Sequence, residues 1–185
     1  MSINFGHGVV LARLCEEESE NLPFWRNEYP IRRWCRQYDL IDDINQKKWF
    51  EQINSDTSVS MFGIYLPDIT GAPLGVCGLT SIDKHNRKAE FSLYIEPHSH
   101  NQGYGEQALK TLICHGFANL NLNRIWGETF EGNPGIRLYQ KLGFVREGTL
   151  KETYFKAGRM IDSSIWAITR TEFGVKDWAK TEEVL

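Results

Sequence analysis

Apolar and polar positions change period along this chain. VVLARL (9–14) is a short β-rich run. Residues 16–27 are acidic early and apolar late and read as a helix, which Pro30 interrupts. Ile31 to Gln37 and Ile41 to Ile53 read as two more helices; in the second, Ile41, Ile44, Lys48, Trp49 and Ile53 recur at helical spacing. From Ser58 the period shortens. SVSMFGIYL and PLGVCGLTSI are strands split by PDITGA, a turn sequence, and NRK leads into a third strand, Ala89 to Ile95. Strands joined by short turns predict an antiparallel meander.

A long helix is predicted from Gly103 to Leu120, with Ala108, Leu109, Leu112, Ile113, Gly116 and Phe117 as its apolar stripe and Asn121 and Asn123 at its end. Arg124 to Phe130 is a strand, parallel to the strand before the crossover helix. Pro134 to Leu142 is a short helix stopped by Gly143. Strands Phe144 to Phe155 and Met160 to Thr171 flank KAGR, a hairpin turn. The fold class is α/β: a mixed sheet with helices inserted at two places.

The 185 residues suit one domain, 1–185. No apolar run reaches eighteen residues, so no membrane span is expected, and the start lacks the basic and apolar regions of a secretory signal. A net charge of -3 weighs against a nucleic-acid binder. Cys15, Cys35, Cys77 and Cys114 form no C-x-x-C pair and no His stands at zinc-ligand spacing. They read as packing thiols in a reducing cytoplasm, with no metal expected. Cys114 and His115 are neighbours, but adjacent helix residues point apart, which argues against a Cys–His nucleophile.

The stretch HNQGYGEQAL (100–109) carries the candidate chemistry. Gly103, Gly105 and Ala108 satisfy the dinucleotide pattern G-x-G-x-x-G/A, with Glu128 near the ribose-binding position. Against that reading, six residues, 97–102, separate strand from glycines, and antiparallel hairpins stand on both sides. A second reading is a loop that only needs positive φ. A third is an anion site, in which unpaired amides at a helix start meet a pyrophosphate. No G-x-x-x-x-G-K-S/T is present.

The order strand, H-N-Q-G-Y-G-E-Q-A-L, long helix, strand, N-P-G-I-R-L-Y-Q-K-L-G-F resembles the GNAT N-acetyltransferases. Within them it is similar to the branch of ribosomal-protein, spermidine and amino-sugar acetyltransferases. The resemblance covers nearly the whole chain and is strongest over 73–173. It implies a mostly antiparallel sheet with a splayed parallel strand pair, flanking helices, and acetyl-CoA as acetyl donor. The family motif Q/R-x-x-G-x-G/A falls on 100–105, with His100 in the leading place. By this resemblance the amides of Gln102, Gly103, Tyr104, Gly105 and Glu106 hold the coenzyme A pyrophosphate. The strand ending Leu93, Tyr94, Ile95 holds the pantetheine arm, and Asn133 also contacts it. The spacing from Asn133 to Tyr139 is six residues where the family usually has seven.

Acetyl transfer to an amine needs a base for the ammonium, donors for the oxyanion, and a proton for a thiolate of pKa about 8.5. The resemblance assigns the acid to Tyr139 and offers Glu90 and Glu128 as bases. A carboxylate near 4.3 is a poor base for an ammonium near 10 unless burial or a water relay helps. The oxyanion donor would be a backbone amide, with Tyr94 as candidate.

Residues 16–53 would form the acceptor wall. By the same resemblance, W-R-N, I-R-x-W and K-W-F, which hold Trp25, Arg26, Trp34 and Trp49, with Arg36 just beyond the second, look most like members that acetylate the primary amine of an amino-sugar nucleotide in a ternary complex. Asp39, Asp42 and Asp43 keep a polyamine or a protein N-terminus open as the acceptor. A module that binds acyl-CoA without turnover is the rival class, and a homodimer is a further expectation.

Overall fold

The computed structural model describes residues 2–68 and 71–179. Its strands are β1 (Ser2–Ile3), β2 (Val10–Ala12), β3 (Ser60–Tyr65), β4 (Gly75–Asp83), β5 (Lys88–Ile95), β6 (Arg124–Phe130), β7 (Val145–Lys156) and β8 (Arg159–Thr169). They form one sheet in the order β1-β2-β3-β4-β5-β6-β8-β7. The β5–β6 pair is parallel and every other pair is antiparallel. The expected mixed sheet with one parallel pair is present.

The helices are α1 (Glu16–Asn27), α2 (Tyr29–Arg32), α3 (Asp43–Ser55), α4 (Tyr104–Cys114), α5 (Gly135–Leu142) and α6 (Arg170–Phe173). The apolar stripe of α4 buries Ala108, Leu109, Leu112 and Ile113 against Leu79, Ala89 and Ile125 of the sheet. On the opposite face Trp25, Trp49, Phe50 and Tyr94 pack with Leu14, Leu22 and Val76. Two of the tryptophans read as acceptor wall are therefore packing residues.

One strand and three boundaries depart most from the sequence expectation. β1 is two residues long and too short to show a period. The helix expected to reach Gln37 stops at Arg32, because Lys156 Nζ donates to the carbonyls of Arg32 (2.8 Å), Cys35 and Gln37 (3.3 Å). The long helix changes to a π-helical turn over His115–Asn119. The last strand ends at Thr169 rather than Thr171. There Thr169 Oγ1 accepts from the Glu172 amide while Glu172 accepts from the Thr169 amide at 2.8 Å, a capping box that starts α6. Within PDITGA, Ile69 and Thr70 lie outside the described residues. The KAGR turn is present: Ala157 and Gly158 both take positive φ, +52° and +79°, the geometry of a two-residue hairpin.

His115 is 3% exposed in the π turn, and burial pushes its pKa down from 6.5 to about 4. The unfolded chain then binds the extra proton between those values, so this contribution to stability is complete above pH 6.5 and is lost as pH falls toward 4. A shift of this size corresponds to about 3 kcal/mol. Urea midpoints measured across that window should fall more steeply for the native protein than for His115→Gln. Parallel curves would show that His115 carries no such linkage.

Candidate active site

The parallel ladder is short. Lys88 faces Arg124, Ala89 faces Ile125 and Glu90 faces Trp126; the ladder stops there, while β5 runs on to Ile95 and β6 to Phe130. The two strands thus leave a wedge beyond Glu90. One mouth of the wedge meets the start of α4, and the other meets α5 and the segment after α2.

At the first mouth, Gly103 is the N-cap of α4 with φ +87°, a conformation that L side chains adopt at a cost. Among the described residues the amides of Gln102, Gly103, Tyr104 and Gly105 have no protein acceptor. The Glu106 amide differs from expectation: it donates to the Gly103 carbonyl at 3.1 Å, so the helix has already used it. Four successive amides without an acceptor at a helix start are the arrangement that can receive an anion. The Glu106 carboxylate beside them is offset by Lys110 at 3.0 Å and Lys141 at 2.5 Å, which hold its pKa below the usual range, the Lys141 contact most strongly. His100, in the place of the family's Gln or Arg, donates from Nε2 to the Ile95 carbonyl at 2.8 Å and braces the loop.

These features fit a pyrophosphate and a pantetheine arm. Gly103→Val should raise the dissociation constant for coenzyme A by about tenfold or more, equivalent to about 1.4 kcal/mol. The added Cβ meets nothing closer than Gln107 Nε2 at 3.8 Å, so the protein itself leaves room for it and the cost falls on the positive φ and on whatever binds at the amides. Calorimetry checks this, and unchanged affinity would move the diphosphate elsewhere.

Along β5 the Glu96 amide donates to the Leu74 carbonyl at 2.8 Å. Alternation in an antiparallel pair then turns the amide of Tyr94, which stands opposite Val76, toward β4 and that of Leu93 toward the wedge. Leu93 therefore offers the backbone donor at this level. Tyr94 contributes its ring instead, with the Arg26 guanidinium 5.1 Å above it.

At the second mouth is a cavity of about 320 Å³ lined by Arg26, Trp34, Arg36, Tyr94, Glu128, Asn133 and Tyr139, among others. Tyr139 comes from α5 and packs edge-on against Phe91, ring centroids 5.1 Å apart. Burial pushes its hydroxyl up to about 12, and a hydrogen bond with Thr129 pulls the other way. It therefore keeps its proton at neutral pH. Asn133 precedes α5, and its Oδ1 accepts from the Gly135 amide at 2.8 Å, leaving the side-chain NH₂ for a ligand.

The two candidate bases are joined by Arg36. Its guanidinium pairs with Glu90 and stands 3.4 Å from Glu128. Burial opposes the Arg36 charge, but Glu90 and Tyr154 outweigh it and the net shift is upward. Glu128 lines the cavity and accepts from Ser163 Oγ at 2.5 Å and Tyr154 Oη at 3.1 Å. Glu90 is 9% exposed and meets the cavity through Arg36. Sequence reasoning missed Ser163 and Tyr154. They reach Glu128 across β8 and the β7–β8 hairpin, a long-range pairing that no local motif encodes.

Asp39, Asp42 and Asp43, weighed as acceptor-site acids, stand apart from this cavity. Asp42 instead caps α3, accepting from the Asn45 amide at 2.7 Å. Cys114 is buried, lies 3.6 Å from His7 Nε2 rather than near His115, and has its thiol pushed up to about 12 by burial. A nucleophile needs the opposite shift.

The candidate site is thus a parallel pair that opens over a helix start with free amides and faces a tyrosine and an arginine-bridged carboxylate pair. Residues 9–145 match the model of the acetyltransferase (GNAT) domain, and the chain belongs to that family of N-acetyltransferases. It is 31% identical over 136 residues to the uncharacterized N-acetyltransferase p20 of Bacillus licheniformis, covering 71% of this chain and 76% of that one. It is also 31% identical over 154 residues to the spermidine N(1)-acetyltransferase of Escherichia coli K12, covering 83% and 81%. The fold is shared with the Vibrio cholerae spermidine N-acetyltransferase in complex with CoA and spermine. The TM-score is 0.83 at 22% identity, over 89% of this chain and 97% of that one. No helix among the described residues is long and apolar enough to cross a membrane.

Proposed function

We propose that this enzyme moves an acetyl group from acetyl-CoA to a primary amine of a small molecule in the cytoplasm, through a ternary complex. The observation that carries this reading is the wedge itself, with free amides at residues 102–105 at one mouth and Tyr139 with Glu128 at the other. Acetyl-CoA, held by those amides, Leu93 and Asn133, supplies an activated thioester. Tyr139 donates a proton toward the leaving sulfur. Glu128, in contact with the cavity, receives the acceptor's proton; Glu90 acts through Arg36 to fix its position. The Leu93 amide faces the place where negative charge develops on oxygen.

Two acceptor classes draw support from separate observations. The spermidine acetyltransferase relatives support a polyamine. Arg36 is balanced by Glu90 and Glu128, so the amino-sugar nucleotide rests on Arg26 alone, whose guanidinium lies over Tyr94 and holds Gln37. A thiol-release assay over spermidine, amino-sugar nucleotides and peptide amino termini tests both. Turnover with any of them sustains acetyl transfer, and the preferred amine selects the class. Acetyl-CoA binding without turnover on any amine would favour the non-catalytic module.

A further inference from the structure

Lys156 closes β7 just before the hairpin turn and stands opposite Arg159. Its ammonium donates to the Arg32 carbonyl at 2.8 Å, to the Cys35 carbonyl, and to the Gln37 carbonyl at 3.3 Å. An ammonium has three donors, so these contacts use them all. Lys156 has no carboxylate partner among the described residues. A lysine that meets the last carbonyls of a helix is an ordinary cap. Only the Arg32 contact is of that kind. Cys35 and Gln37 lie beyond α2, and they are the two chain neighbours of Arg36.

Little else holds the main chain there. From Arg36 to Ile41 no backbone group bonds another backbone group among the described residues. Arg26 holds the Gln37 side chain at 2.6 and 3.1 Å, and Asn27 exchanges two hydrogen bonds of 2.8 Å with Ile41. Neither tie grips the main chain on both sides of Arg36. The Lys156 ammonium does, and from that point the Arg36 guanidinium pairs with Glu90 and stands 3.4 Å from Glu128. A reacting constellation has to be held to about 0.5 Å by its supporting residues. Given the acetyl-transfer reading above, we propose that Lys156 is a positioning residue for the reaction: its ammonium clasps the main chain on either side of Arg36 and so keeps the guanidinium between Glu90 and Glu128. Without the clasp the two carboxylates lose their shared counter-charge and Glu128 loses its aim. An ammonium acceptor is then bound at least as well, while its proton leaves more slowly.

The test is Lys156→Met in the full chain, with steady-state kinetics on the preferred amine of the panel above. The kcat should fall at least tenfold, the acceptor KM should stay level or fall, and the KM for acetyl-CoA should stay within about threefold. A general packing defect in the cavity wall would instead raise the acceptor KM. Because Lys156 acts through Arg36, adding Lys156→Met to Arg36→Met should cost no further kcat. Should Lys156→Met fail to fold, Lys156→Gln, which keeps an amide donor, is read through the same cycle. Lys151→Met, on the same strand but paired with Asp162 at 3.1 Å, is the control that keeps native kinetics. Amide exchange reads the clasp without turnover. The Trp34 and Cys35 amides, bonded to the Ile31 and Arg32 carbonyls at 2.9 and 3.1 Å, should exchange at least tenfold faster in Lys156→Met, with α4 unchanged. Native kcat in the variant, a raised acceptor KM with kcat unchanged, additive losses with Arg36→Met, or level exchange would overturn the assignment. A native chain that turns over no amine sinks acetyl transfer instead, and faster exchange in the variant then leaves the clasp on Arg36 standing.

Discussion

Tyr139→Phe is expected to lower kcat by about 10² to 10⁴, the range that a positioned general acid supplies, while the affinity for acetyl-CoA stays within about threefold, or ~0.7 kcal/mol. The ring keeps its edge-on contact with Phe91 and its neighbours Phe144 and Trp166, so the fold loses only a hydroxyl. With the hydroxyl near 12, any alkaline limb of the rate profile below about pH 11 does not come from loss of the Tyr139 proton. Single-turnover kinetics separate the chemical step from binding. Unchanged kcat would remove Tyr139 from the reaction and leave it as a packing aromatic.

The second large effect is on stability. A Cβ on Gly75 would lie 2.3 Å from the Tyr94 carbonyl and 2.8 Å from the Ile95 Cα. Both are backbone atoms of the neighbouring strand, so no side chain can swing aside. Gly75→Val should cost about 4 kcal/mol or more, the upper range for single substitutions. Activity should be lost with it, because the displaced strand end carries Leu93 and Tyr94. Gly105→Ala is the control: its Cβ would meet Ile95, Leu138 and Leu93 at 3.6–3.9 Å, ordinary packing distances. Chemical denaturation of both variants checks this, and a Gly75→Val protein as stable as the Gly105→Ala control would show that β4 and β5 give way cheaply.

Where periodicity was strong, the sequence was readable. The stripe 108–117 lies on the sheet, the meander of β3 to β5 is antiparallel, and the glycine pair stands at a helix start as its spacing implied. Ends set by distant groups were not readable. The stop after Arg32 depends on Lys156, more than a hundred residues away, whereas the Thr169–Glu172 box is local and its T-x-x-E signature was open to reading. At the site, the sequence offers Arg36 only as one cation in an aromatic wall. Its bridging of Glu90 and Glu128 arises only when the segment after α2 folds over β5 and β6. The motif alone offers the Glu106 amide as a donor, because it does not reveal that the helix turns it back onto Gly103.

The brevity of the β5–β6 ladder also bears on how the molecule coheres. Three rungs join two leaves of one sheet, β1 to β5 on one side and β6 to β8 on the other. A guest lying along the opening touches both leaves and so acts as a splint across the seam. A donor bound there would by mass action add to the resistance of the whole protein against unfolding, and thermal midpoints with and without coenzyme A would show it as a rise.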